Sequence, residues 1–372
     1  MLAALIALLL GGAAFALGGG GSTSSAAAER PDEDEDDLGP APNPPAASVV
    51  APGPAEDLPN EPDSAYTLNW GGLTDEEQMM VELINRARMD VSEEVARQGE
   101  GLASGISPAD DTPLAVVPTL SEASRDHSEN MDNRQFFDHE DPAGDEPWDR
   151  AQDAGHANGY VGENIAVIAS FSTNFDEQAR VEALHAGLWE SDGHQRNMLR
   201  DDWTEIGVGY DYGSYRGNEG GTYVTTKFGD TGETYLTGVV IDDEDGDDFY
   251  DMGEGQGGVR ITAIDENNPD NVFTTSTWDA GGYTLALPPG TYRVVFEGGD
   301  LDAPQEASVT IGNDNVKLDI IEEDGPAQAI ASATLVATPV DAEAVLPMLP
   351  PVEEDAFSDD LEEDEPFEPV LF

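Results

Sequence analysis

The spacing of apolar residues changes near residue 232, and this switch divides the chain into two different kinds of folded unit. Between about 74 and 230, large apolar side chains recur three and four apart, broken by short runs of Val, Ile, Thr and aromatics. That pattern asks for helices interleaved with strands, in a layered α/β arrangement. From about 232 to 322 the period falls to two between frequent turn signals, which asks for strands alone.

Beyond these limits the chain has little to bury. Residues 2–17 are an uncharged run, Leu-Ala-Ala-Leu-Ile-Ala-Leu-Leu-Leu-Gly-Gly-Ala-Ala-Phe-Ala-Leu. It is short of the roughly 20 apolar residues a membrane helix needs. It suits a secretory h-region better, although no basic n-region precedes it, so 1–28 reads as a signal peptide or N-terminal anchor and the protein as extracellular, secreted or cell-surface. Residues 29–70, Pro-rich and carrying the acidic run Asp32 to Asp37, cannot offset their ordering entropy and read as a disordered linker. The acidic tail 323–372 reads the same way.

The chain holds 78 acidic and 15 basic residues, a formal charge of −63. Such a charge repels phosphate backbones and anionic headgroups, which argues against nucleic-acid binding and polybasic membrane contact. It attracts cations and basic partners instead. With no cysteine, a disulfide framework, thiolate zinc and a thiol nucleophile are excluded together.

In the segment 74–230, Thr74 and Glu77 form a capping box, after which Met80, Leu83, Ile84, Ala87 and Val91 recur at helical spacing. A second helix follows Ser121, with Ala123, His127 and Met131 on one stripe. Pro147 opens a third, and Val181, Leu184, Leu188 and Trp189 give a fourth its buried face. Strands are expected at 165–168, 206–210 and 223–228. All five histidines lie between His127 and His194. His127 and His185 fall on or beside buried stripes and read as packed, and His156 reads as a turn residue. His139 and His194 sit at element ends beside acidic or glycine residues, where imidazole is free to bind or titrate.

Four ordered motifs, Phe136-Phe137-Asp138-His139, Gly162-Glu163-Asn164-Ile165-Ala166, Ser191-Asp192-Gly193-His194-Gln195-Arg196-Asn197 and Glu205-Ile206-Gly207-Val208-Gly209-Tyr210, resemble the CAP domain of cysteine-rich secretory proteins, antigen 5 and pathogenesis-related proteins, in a cysteine-free bacterial form. The resemblance implies an α-β-α sandwich, with three strands between helical layers, and a cleft of two histidines and two glutamates. By motif these are His139, Glu163 and His194, with Glu190 in the place of the second glutamate, one residue off the expected spacing, and Glu182 a weaker candidate. Two imidazoles converging on a cleft hold zinc or another divalent ion, with glutamates orienting the rings. Such a site suits plain binding or metal-assisted hydrolysis. The absence of a His-Glu-x-x-His or Gly-x-Ser-x-Gly motif favours binding. The family is mostly described through lipid, sterol or protein binding, which implies a lipid, peptide or protein ligand.

Seven short strands are expected in 232–322, a small immunoglobulin-like β-sandwich. After the first, Asp243, Asp245, Asp247, Asp251 and Glu254 fall at the ligand positions of an EF-hand calcium loop, with Phe249 offering its carbonyl. Asp248 stands where that loop usually has glycine, and no flanking helices are expected. These residues, with Gly253-Glu254-Gly255-Gln256-Gly257-Gly258-Val259 and Asp279-Ala280-Gly281-Gly282-Tyr283, resemble the calcium-binding B-type repeats of Ser-Asp-repeat surface adhesins, which implies a rigid spacer. Three functions stand open: a binding module, an extracellular divalent-metal hydrolase or protease, and a surface adhesion protein without catalysis.

Overall fold

The structure, a computed structural model, describes residues 71–106, 112–169, 176–216 and 218–322, with the backbone of three short strands outside them. The linker 29–70 and most of the tail 323–372 lie outside the described residues. Of the apolar run 2–17, Leu9–Leu10 (β1) and Ala14–Ala16 (β2) are strands paired antiparallel with Val161–Ala169 (β4).

The first helix, α1 (Asp75–Met89), begins at the expected capping box: Thr74 Oγ1 accepts from Glu77 N, and Glu77 Oε2 accepts from Thr74 N at 3.0 Å. It stops two residues before Val91. Asp90 breaks the helix and caps α2 (Val91–Gln98) by accepting from Glu93 N at 2.9 Å. The short strand β3 (Ala115–Val116) leads into α3 (Pro118–Arg134), which starts before Ser121 because Pro118 takes the first helical position. Then come α4 (Pro147–Asp153), β4, α5 (Glu177–Glu190), α6 (Asp192–Met198), β5 (Glu205–Tyr215) and β6 (Asn218–Gly229). The sheet runs β1-β4-β6-β5-β3, with β6 antiparallel to both β4 and β5.

Helices cover both faces of this sheet. Ala166, Ile168, Ile206, Val208, Val224 and Phe228 share a core with α1 and α5. On the other face Met131 of α3 packs with Ile165, Val167 and Tyr223, as alternation along a strand requires. Gly207 and Gly209 explain the closeness of α3. A Cβ on either would sit 2.1 to 2.3 Å from the helix backbone at Leu120, Ser121, Ser124 or Arg125. Ser124 and Ser128 donate to their carbonyls at 3.2 and 2.8 Å.

All seven strands expected in the second segment form: β7 (Tyr235–Asp242), β8 (Val259–Asp265), β9 (Val272–Ser276), β10 (Gly282–Ala286), β11 (Gly290–Gly298), β12 (Gln305–Ile311) and β13 (Val316–Glu322). An eighth, β14 (Gln328–Ser332), pairs with β13 and carries the domain past 322. The sheets β10-β7-β13-β14 and β12-β11-β8-β9 enclose one core, including Val240, Ile261, Tyr283, Phe296 and Leu318.

The two domains are not strung apart as a spacer would place them. Val239, Ile241, Tyr250 and Ile321 of the second share a core with Met79, Met80 and Leu83 of α1. Polar contacts line this seam. Trp278 Nε1 donates to Gln78 Oε1 at 2.9 Å, Lys317 Nζ lies 2.9 Å from Glu82 Oε2, and Asn315 Nδ2 donates to the carbonyls of Pro113 and Thr204 at 3.0 and 2.7 Å.

Candidate functional site

Strand register builds the first site. Glu163 of β4 and Lys227 of β6 are direct cross-strand partners, so their side chains share a face. Both are fully buried, and Lys227 Nζ is ion-paired with Glu163 Oε2. Arg150 of α4 reaches the same carboxylate, its NH2 group lying 3.2 and 3.0 Å from Oε1 and Oε2. His139 Nδ1 stands 2.8 Å from Oε1. Arg150 also donates to the His139 carbonyl at 2.8 Å, which ties the 136–139 loop to α4.

His127 joins this cluster. Its Nε2 lies 3.1 Å from the Asp138 carbonyl and 3.8 Å from Glu163 Oε1, and its ring meets Phe136 edge-on with centroids 5.9 Å apart. Its helix-stripe position made it look merely packed; it is buried and also faces the carboxylate.

Electrostatics follow from burial and these contacts. Burial alone would raise the Glu163 pKa. Lys227, His127, His139 and Arg150 outweigh it and hold the carboxyl well below its ordinary range. Burial lowers Lys227 to about 8 against the pull of Glu163, so its ammonium persists at neutral pH. Burial likewise drops His127 to about 4, leaving it neutral.

The other residues expected in the cleft are His194 and Glu190. His194, in α6, is tied to β4 through its carbonyl, which accepts from Asn164 Nδ2 at 3.1 Å, and its side chain is buried. Asn197 braces the same junction, donating to Glu163 O and Asn164 Oδ1 at 3.1 and 2.9 Å. Glu190, the last residue of α5, is exposed. The contacts thus bring His139 and Glu163 together and add Arg150, Lys227 and His127. A lone lysine at an inward position of a strand, beside Tyr223 and Thr225, was the sequence signal for Lys227.

Glu163 itself is not placed to ligate a divalent ion. The Glu163 oxygens already accept from one ammonium, one guanidinium and one imidazole. An added cation there would meet two fixed positive charges around one negative one. Among the described residues, the convergent groups of three or more possible ligands both lie elsewhere and contain no histidine.

Those groups are in the 243–254 loop. Ligand oxygens of Asp243, Asp245 and Asp247 lie within 4.8 Å of one another, and so do those of Asp245, Asp251 and Glu254. Backbone donors shape the loop. Asp243 accepts from Gly246 N and Asp248 N at 2.8 and 3.0 Å, and Glu254 accepts from Glu244 N and Asp251 N at 3.0 and 2.9 Å. Asp248 makes the sharp turn itself at φ 61°, a left-handed conformation that aspartate tolerates better than most residues. Backbone donors outweigh burial at Asp243 and lower its pKa. Burial and neighbouring aspartates raise Asp251 and Glu254. None of the five carboxylates forms an ion pair with lysine or arginine among the described residues. This donor set fits calcium, whose oxygen ligands wrap from one short loop.

Residues 81–228, most of the first folded segment, match the family model "CAP: Cysteine-rich secretory protein family". The Bacillus subtilis (strain 168) protein YkwD is 34% identical over 98 residues, 26% of this chain and 35% of that protein's length. The chain therefore spans about a third of that relative. A Bacillus anthracis str. Ames extracellular protein containing an SCP domain is similar at 24% identity, covering 41% of this chain and 39% of its own, with a TM-score of 0.27. An outer surface protein of Borrelia burgdorferi shows 14% identity over 42% of this chain and 92% of its own, with a TM-score of 0.28. No helix among the described residues is long and apolar enough to cross a membrane.

Proposed function

We propose that this is an extracellular CAP-domain protein whose cleft beside Glu163 and His139 binds a lipid or polypeptide without a resident metal ion, and whose 243–254 loop takes up calcium. The observation that carries the cleft reading is the saturation of Glu163. A carboxylate held well below its ordinary pKa by a buried lysine and a partly buried arginine is a poor proton acceptor and a poor ion ligand. Its work is to fix His139, Arg150 and the loop between them, which shapes a recognition surface.

Calcium in the loop would offset the mutual repulsion of five carboxylates, at extracellular affinities on the order of 10⁻⁴ to 10⁻³ M. Backbone donors to Asp243 and Glu254 support the loop in the arrangement that calcium would hold.

A hydrolase reading draws on the 2.8 Å contact of His139 Nδ1 with Glu163, which orients an imidazole as in a catalytic dyad. Turnover separates the two. The full chain and its His139→Ala variant are assayed on a nitrophenyl ester and on casein, and lipid retained through purification is measured by mass spectrometry. Binding is supported by retained lipid, or by peptide binding, that His139→Ala reduces, with no turnover above that variant. Turnover that His139→Ala abolishes replaces binding with catalysis.

A further inference from the structure

The acidic loop does not stop at the sandwich surface. Its second half turns onto the CAP domain. Tyr250 is 1% exposed and lies in the core that holds Met79, Met80 and Leu83 of α1, with Phe249 and Met252 packed against it. The Arg86 guanidinium carbon stands 4.6 Å over the Phe249 ring. Gln178, in the first turn of α5, uses both ends of its amide: Nε2 donates to Asp251 Oδ1 at 2.5 Å, and Oε1 accepts from Met252 N at 3.2 Å. Asp251 therefore belongs to two structures at once. It is a member of the triad with Asp245 and Glu254, and it is the acceptor that Gln178 holds.

We propose that the 243–254 loop is a clasp between the domains, through which calcium bound in the loop tightens the first turn of α5. This rests on the calcium reading above. Without a cation, repulsion among Asp243, Asp245, Asp247, Asp251 and Glu254 falls if the loop spreads, and spreading draws Tyr250 and Met252 away from α1 and Gln178. A cation draws the carboxylates together and seats the same residues. Linkage makes the effect reciprocal: contacts that favour the seated loop raise its affinity for calcium by the factor that calcium favours the contacts.

The test uses the full chain and its Gln178→Ala variant, whose change lies on the CAP side and leaves all five carboxylates in place. Calcium is titrated calorimetrically, and amide hydrogen exchange is followed by mass spectrometry with millimolar calcium and with chelator. In the wild type, exchange over 177–184 and 249–252 should slow about five- to tenfold in calcium, the low end of ordinary coupling. Gln178→Ala should still bind calcium, more weakly by about the same factor, and lose the calcium-dependent protection of 177–184. Binding heat with unchanged exchange in α5 overturns the clasp and leaves the calcium reading standing, as does a Gln178→Ala variant with wild-type affinity and protection. Absence of binding heat removes both.

Discussion

Glu163 and Asp245 belong to carboxylate clusters of opposite make-up. Around Glu163 one negative charge is shared by a lysine, an arginine and an imidazole, all from the chain. Around Asp245 five carboxylates gather without a lysine or arginine paired to any of them among the described residues. In the first cluster the charge of Glu163 is met from within the chain. In the second no such counter-charge is supplied, and the calcium proposed above would provide it. Residue types that look alike in the sequence, acids at chosen spacings, thus have opposite consequences once the cross-strand neighbours are known.

The largest effect is expected from breaking the complete cluster. Glu163→Gln leaves the buried Lys227 without its counter-charge, and removing one partner of a buried ion pair typically costs about 3–5 kcal/mol. Urea unfolding of the full chain measures it. A loss below about 1 kcal/mol would mean that the cluster is not the electrostatic centre of the domain.

Next is the open cluster, where the sign depends on calcium. With chelator present, Glu254→Gln should raise stability slightly by relieving repulsion. With calcium at about 100 times its Kd, the wild type gains about 2.7 kcal/mol that the variant lacks. Thermal unfolding of both proteins with and without calcium should therefore show their order reverse. An unchanged order would equate the two clusters.

A third cluster lies between these extremes. His156 Nδ1 faces the Asn158 carbonyl at 2.7 Å and Nε2 faces Glu205 Oε2 at 3.0 Å, so both ring nitrogens meet acceptors and the imidazolium satisfies both. Glu205 also accepts from Tyr235 OH of the second domain at 2.6 Å. Burial lowers the His156 pKa, but Glu205 and Asn158 outweigh it and raise it above 6.5. A raised folded-state pKa gives stability that is fully present below the unfolded value and fades as pH rises through the folded one. His156→Gln should cost about 1 kcal/mol below pH 6.5, an ordinary hydrogen-bond contribution, and progressively less above it. A cost that grows with pH would reverse the assignment. The smallest effect is expected from Arg293→Ala, whose pair with Glu306 at 3.0 Å is exposed on both sides and should contribute less than about 0.5 kcal/mol.

The helices and strands were legible because their apolar periods are strong, and Thr74 and Pro147 mark helix starts by local chemistry alone. The acidic frame was legible because all its members lie within one short stretch of chain. His139 and Glu163 were found through ordered motifs. Arg150 and Lys227 were not, because their roles depend on antiparallel register and on a loop fold that bring distant positions together. The shared core of the domains was hidden for the same reason. Tyr250 reads as one more aromatic in an acidic loop until α1 is placed against it. Asp248 stands where glycine was expected and makes the turn itself, since aspartate enters the left-handed region there.

The contrast between a complete and an open cluster is tested most directly by equilibrium dialysis of the full chain against millimolar calcium and, separately, micromolar zinc, with Glu254→Gln and His139→Ala alongside. One calcium per chain, lost in Glu254→Gln and kept in His139→Ala, with no stoichiometric zinc, is the expected result. Stoichiometric zinc that His139→Ala abolishes, or no calcium in the wild type, would contradict it.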